Sequence, residues 1–229
     1  MIPIRDTLHS HRSPLVNYAL IALCTIAFVL ELRAGADIDA LLHDWALVPS
    51  RFVSLIARDG LLDSAPYRPL LSSMFLHGSI AHFAGNMLFL WVFGDNVEDR
   101  LGHLRYGLFY LAGGVVAGLA HVAASPESIV PTIGASGAIA AVMGAYMLLY
   151  PHAHVHTLVI FVFIVRVISV PAVVWLGLWF VFQVIAGAQE ASVPGQGGVA
   201  WWAHAGGFAF GAAVVLVFGL RAPRAAAAR

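Results

Sequence analysis

Four residues able to do acyl-transfer chemistry sit in apolar surroundings where polar groups are costly: Ser136, His204, His82 and Asn86. Ser136 stands in Gly134-Ala135-Ser136-Gly137 and His204 in Ala203-His204-Ala205-Gly206-Gly207. His82 and Asn86 are four apart, which puts them on one face of a helix. A serine hydroxyl is a weak nucleophile until a base takes its proton, and an imidazole can be that base. Attack on a carbonyl then needs donors for the developing oxyanion. His82, Asn86 and the backbone N–H of Ser136, near a helix N-terminus, can supply them. A lone serine in an apolar helix usually only bonds back to a carbonyl one turn earlier. The chemistry therefore depends on whether the chain brings these residues to one place.

The elements that must do so are membrane spans. Of 229 residues, 60% are hydrophobic and 10% charged, against about 25% charged in an ordinary soluble domain. This composition implies an integral membrane protein in a lipid bilayer. Net charge is zero and all twelve basic residues are arginine, with no basic stripe, which argues against a nucleic-acid partner. The single cysteine, Cys24, excludes an internal disulfide.

A spanning helix needs about 20 mostly apolar residues. Six segments approach this, at 15–32, 79–97, 105–124, 134–150, 169–188 and 199–220. A seventh apolar run, 158–165, is short and stopped by Arg166 and Pro171, and is expected at the interface or leading into the fifth span. The expected fold is thus an all-α bundle of six transmembrane helices. Arg5 and Arg12, Arg100 and Arg105, Arg166, and the group Arg221, Arg224 and Arg229 fall on one side of such a bundle, whereas 125–133 and 189–198 carry no basic residue. Short cytoplasmic flanks are enriched in basic residues, so both termini are expected to be cytoplasmic. The first run is read as a retained span, since no small-residue cleavage site follows it. The long outside loop, 33–78, has apolar residues near helical spacing, including Leu41, Trp45, Phe52 and Ile56, and is expected to rest on the outer leaflet.

With that orientation, His77, His82 and Asn86 lie at or just below the outer end of span two, and Ser136 lies in the first turn of span four. His204 lies roughly 8 Å below the start of span six at 1.5 Å per residue. Three spans thus bring these groups to one depth in the outer half of the membrane, which implies a small polar cavity. The small residues Gly207 and Gly211 share a face with His204, and Ala140 and Gly144 share one with Ser136. Packing one small face on the other carries His204 towards Ser136. No acidic residue lies at this depth in these three spans, so a Ser-His dyad rather than a triad is expected.

On these residues the chain resembles the rhomboid intramembrane serine proteases. The resemblance is carried by His77, His82 and Asn86 as H-x4-H-x3-N, by Gly134 to Gly137 as G-x-S-G, and by Ala203 to Gly207 with Gly211 as A-H-x-G-G-x3-G. It implies Ser136 as nucleophile, His204 as general base, His82 and Asn86 as oxyanion stabilisers, and His77 as a support of the site and its loop. It also implies substrates that are membrane-anchored proteins cut in or near their transmembrane segment, with no metal and no cofactor. Span five, with Trp175, Trp179 and Phe180, would form a lateral gate, and the loop Pro194 to Gly198 a cap. The family's usual Trp-Arg pair in the first outside loop is here Tyr67-Arg68. On this reading residues 1–14 and 221–229 are cytoplasmic tails, 15–64 hold the first span and outside loop, and 65–220 form the protease core. The short tails lead to the expectation of a bacterial plasma membrane.

Two rival readings come from other classes. His82, His121 and His204 are candidate intramembrane ligands of a haem or metal, although that leaves Ser136 and its glycines unexplained and the H-E-x-x-H pattern of zinc proteases is missing. A non-catalytic member would bind transmembrane helices without cutting them. His152, His154 and His156 form a weak candidate metal site in a cytoplasmic loop, and His103, Glu98 and Asp99 are read as interfacial, solvated or capping groups.

Overall fold

The structure is a computed structural model and describes residues 2–161, 164–191 and 199–221, with the side chains of Ile164, Glu190 and Ala191 also outside the description. Among the described residues it is mostly helical. The helices are α1 (Leu15–Ala34), α2 (Ile38–Trp45), α3 (Pro49–Asp59), α4 (Tyr67–Ser72), α5 (Ile80–Leu101), α6 (His103–Ala124), α7 (Ser136–Leu149), α8 (Ala172–Ala191) and α9 (Trp201–Val217). Each expected span has a helix within a few residues of its place.

By length and composition three helices can cross a bilayer: Leu15–Trp45, taken through α2, His103–Ala124 and Ala172–Gln189. A fourth arises if Tyr67–Phe75 and Ile80–Leu101, bent by 88°, count as one span. The helices that hold Ser136 and His204, α7 and α9, are apolar but shorter. Large apolar side chains face outward on α1 and α8, as at Leu23, Ile26, Leu178 and Phe182, all more than half exposed. Small and polar residues face inward. Such an apolar exterior suits lipid and no aqueous surface of this size.

The expectation of an all-helical chain needs one correction. Strands β1 (Ile2–Asp6), β2 (His154–Phe161) and β3 (Ile164–Pro171) form an antiparallel sheet in the order β1-β2-β3, with Ile2 opposite Leu158 and Val155 opposite Val170. The described residues of the run 158–165 are therefore strand, paired between β2 and β3, and β3 leads directly into α8 at Ala172, as expected of a run leading into the fifth span. The reason is legible in its chemistry, because β-branched residues favour the pleated backbone. Residues 154–157 also alternate, with Val155 and Thr157 buried and His154 exposed.

That sheet sits at one end of the bundle, together with the α5–α6 turn and the end of α9. Asn96 Nδ2 donates to Asp6 Oδ2 (3.0 Å), Tyr146 donates from its hydroxyl to the same oxygen, and His154 N–H donates to Thr7 Oγ1 (3.0 Å). Glu98, fully buried, accepts from the backbone N–H groups of Val16 (2.9 Å) and Asn17 (2.7 Å) and from His103 Nδ1 (2.5 Å). These two N–H groups are among the four that every helix leaves unpaired at its start, so Glu98 serves as the cap that Pro14 cannot provide. Asn17 in turn donates to Leu90 O (3.0 Å) and accepts from Tyr106 (2.8 Å). Arg100 Nε donates to Arg221 O, which ties in the far end of the chain.

The opposite end carries the long connection 35–79. Arg68 lies 5.1 Å from the ring centre of Trp45, and its Nη2 donates to Asp44 O (3.1 Å). The arginine thus finds its indole from another helix, while Tyr67 donates to Leu61 O (2.8 Å). A bridge between Leu47 and Thr132 links this connection to the loop before α7.

Candidate functional site

The site is assembled where α5, α7, α8 and α9 meet. Ser136 opens α7, and the loop before it is shaped by Gly134, whose φ of +125° is rarely open to residues with a side chain. A methyl group on Gly134 would also lie 2.7 Å from His82 Nε2 and 3.5 Å from Asn86 Nδ2. Gly134 therefore brings the backbone next to Ser136 directly against those two side chains. Its N–H donates to Ser73 O (2.8 Å), which fixes the loop to the short turn that precedes His77.

His82 and Asn86 share a face of α5, as their spacing requires. The helix is capped by Ser79 Oγ, which accepts from His82 N–H (3.1 Å). The His77 ring lies edge-on to that of His82, with centroids 5.3 Å apart. His77 is itself buried and held: its N–H meets both carboxylate oxygens of Glu31 (3.0 and 2.9 Å), and its Nδ1 faces Phe75 O (3.1 Å). Glu31 lies in the last turn of the mostly apolar α1, and its role was missed in the sequence. A lone buried carboxylate on a span was the available signal.

α7 and α9 pack at backbone distance. A Cβ at Gly207 would overlap the carbonyl of Gly137, one at Gly211 that of Ala141, and one at Gly144 that of Phe208. The expected small-face contact is present but turned by one residue on α7: the stripe is Gly137-Ala141-Gly144, rather than Ser136-Ala140-Gly144. The reason is geometric. With Gly137 occupying the contact, Ser136 is left at its edge, where its hydroxyl is free to face a side chain instead of a backbone.

That side chain is His204. Ser136 Oγ lies 2.7 Å from His204 Nε2, and His204 Nδ1 lies 2.7 Å from Oε1 of Gln183 on α8. The imidazole is flanked by Trp179 (centroids 5.8 Å apart) and, edge-on, by Trp201 (6.4 Å). Gln183 is buried and was also missed; its signal was a single amide in an apolar span, four residues beyond Trp179 and so on the same face. The aromatic residues expected to form a gate face inward. Trp175 packs on Phe89 and Phe93, and Phe180 stacks on Phe208. The expected cap, Pro194 to Gly198, lies outside the described residues.

Among the described residues, three buried nitrogens at this end have no hydrogen-bond partner: His77 Nε2, Asn86 Nδ2 and His121 Nδ1. Among the described residues no three His, Cys, Asp or Glu side chains converge as a metal site, whether at His82, His121 and His204 or at His152, His154 and His156. What the arrangement offers is a serine hydrogen-bonded to an imidazole, beside an amide and a second imidazole with capacity to spare.

Fold and site together define a helical integral membrane protein that holds a hydrogen-bonded serine and histidine between two of its helices. Residues 64–221 match the family described as the Rhomboid domain, and the chain belongs to that family. It is 36% identical to Rhomboid protease GluP of Bacillus subtilis over 135 residues, which cover 58% of this chain and 24% of that protein. It is 30% identical to the mitochondrial Rhomboid protein 1 of Saccharomyces cerevisiae over 146 residues, 62% of this chain and 39% of that protein. The human mitochondrial presenilin-associated rhomboid-like protein is 35% identical over 79 residues, 34% of this chain and 21% of its own length. The alignments thus span well under half of each of these relatives.

Proposed function

We propose that this protein is an intramembrane serine endopeptidase that cuts membrane-anchored proteins in or near their transmembrane segment. The observation that carries the proposal is the 2.7 Å contact between Ser136 Oγ and His204 Nε2, made by two different helices. Residues 65–220 are its catalytic core. α7 has 14 residues, hence a length of about 21 Å, roughly 9 Å less than the hydrocarbon core of a bilayer. With its Leu149 end at one interface, Ser136 lies that far below the other, a depth that water must reach. The short helices α7 and α9 complete a count of six spans, and the end that holds Asp6, Arg100 and Arg221 is the cytoplasmic one, in keeping with its arginines.

In this reading a substrate carbonyl meets Ser136 Oγ as His204 Nε2 takes the hydroxyl proton. The oxyanion forms beside Gly134, where Asn86 Nδ2, His82 and the backbone N–H of Ser136 stabilise it. His204 then passes its proton to the leaving amine, and a water activated by the same imidazole hydrolyses the acyl-enzyme. No metal or cofactor takes part in these steps.

The test is cleavage of a single-span substrate co-reconstituted in liposomes, with the products mapped by mass spectrometry. Wild type is expected to cut in or next to the transmembrane segment, and Ser136→Ala not to cut while keeping its fold, since loss of one half-buried hydroxyl costs about 1 kcal/mol. Binding of the substrate without cleavage by wild type would favour the helix-binding reading instead.

A further inference from the structure

We infer that Gln183 is a positioning residue that sets the tautomer of His204; the inference rests on the protease reading. A neutral imidazole carries one proton, and which nitrogen holds it is decided by the partner of the other. Only Nε2 faces Ser136, at 2.7 Å, so the pair works only when Nε2 presents its lone pair and the serine hydroxyl donates to it. That requires the proton on Nδ1. The group 2.7 Å from Nδ1 is Oε1 of Gln183, an amide oxygen that accepts and cannot donate. With the amide in this orientation, the opposite tautomer would leave Nδ1 and Oε1 as two facing acceptors and would turn Nε2–H towards the serine, which removes the base.

Three further observations favour this role over simple packing. Gln183 is 4% exposed on a helix otherwise rich in exposed apolar side chains, and a polar group so placed is costly without a partner. Trp179, one turn earlier on the same face, packs on the same imidazole and limits its rotation, so one face of α8 supplies both the tautomer and the ring orientation. An amide also does this without charge, whereas the carboxylate used in soluble triads would have to be buried at membrane depth. The dyad therefore draws on three helices: the nucleophile from α7, the base from α9 and the orienting acceptor from α8.

The experiment measures the rate constant for fluorophosphonate labelling of the full chain in lipid, and kcat and KM on the single-span substrate, for wild type, Gln183→Met, Gln183→Asn and Gln183→Glu. Methionine keeps the volume but removes the acceptor, and asparagine keeps the amide but withdraws it by one methylene. Both should lower labelling and kcat by about 10 to 100-fold, the cost seen when the partner that orients a metal-bound histidine is removed, with KM unchanged and the protein still folded. Glutamate keeps an acceptor and should restore most of the rate of labelling, at a cost in thermal stability for the carboxylate buried there. Wild-type rates in Gln183→Met and Gln183→Asn, or a loss in Gln183→Glu as large as theirs, would overturn the inference while leaving the protease reading intact. An unlabelled, folded wild type would remove both.

Discussion

The two ends of the bundle treat polar groups in opposite ways. At the end that holds the sheet, Asp6, Asn17, Asn96, Glu98, Tyr106 and Tyr146 bond to one another or to backbone, so that a short strand, a helix start and a helix turn are fastened together. At the Ser136 end, His77 Nε2, Asn86 Nδ2 and His121 Nδ1 are buried without partners. A buried polar atom without a partner costs about 1 to 3 kcal/mol, so the difference separates groups that fasten the fold from groups that, among the described residues, the fold itself does not satisfy. Tyr110 and Trp175, the other two groups without partners, belong to the aromatic core.

The comparison breaks most visibly where one helix contact serves both ends. Gly211→Leu would drive a side chain into the Ala141 carbonyl, and neither helix can yield without separating Ser136 from His204. Destabilisation of about 3 kcal/mol, at the upper end of the usual cost of overpacking, is expected, together with complete loss of labelling, read by thermal unfolding and gel fluorescence. At the site end alone, Asn86→Ala and His82→Ala should slow substrate cleavage by about 100 to 1000-fold, with the melting temperature held or raised, because Asn86→Ala removes an unpaired buried amide.

The fastened end should show the reverse. Glu98→Gln weakens three hydrogen bonds to a charged acceptor, and a loss of about 2 to 3 kcal/mol is expected, with the labelling rate per folded molecule unchanged. The smallest effect belongs to Asp6. Burial holds its carboxyl above the usual range, against the opposing hydrogen bond from Tyr146. A pKa raised on folding means that the folded state binds the proton more tightly. The contribution of Asp6 is therefore full below its unfolded pKa of about 4 and declines as pH rises through the folded value. Asp6→Asn should flatten that decline in melting curves taken from pH 4 upwards, without altering cleavage.

Much of the site was legible in the sequence because its parts are local. The serine between glycines, the His82-Asn86 spacing and the His204-Gly207-Gly211 face each lie within a turn or two of one helix, and apolar length gave the helices that bear them. What was not legible depends on partners far apart in the chain. β1 is five residues long and pairs with a strand some 150 positions later, a pairing that no local period announces. Glu31 and Gln183 are isolated polar residues on mostly apolar helices, and nothing in their neighbourhood says which loop or ring they meet. The shift of the α7 contact stripe from Ala140 to Ala141 is of the same kind, since both residues are alanine and only the partner helix tells them apart.

The most direct test of the central claim is to treat the protein in lipid with a fluorophosphonate probe and locate the adduct by peptide mass spectrometry. An activated dyad predicts a single adduct on Ser136 in wild type and none in Ser136→Ala or His204→Ala. No adduct in folded wild-type protein, or one that persists in His204→Ala at the wild-type rate, would contradict it.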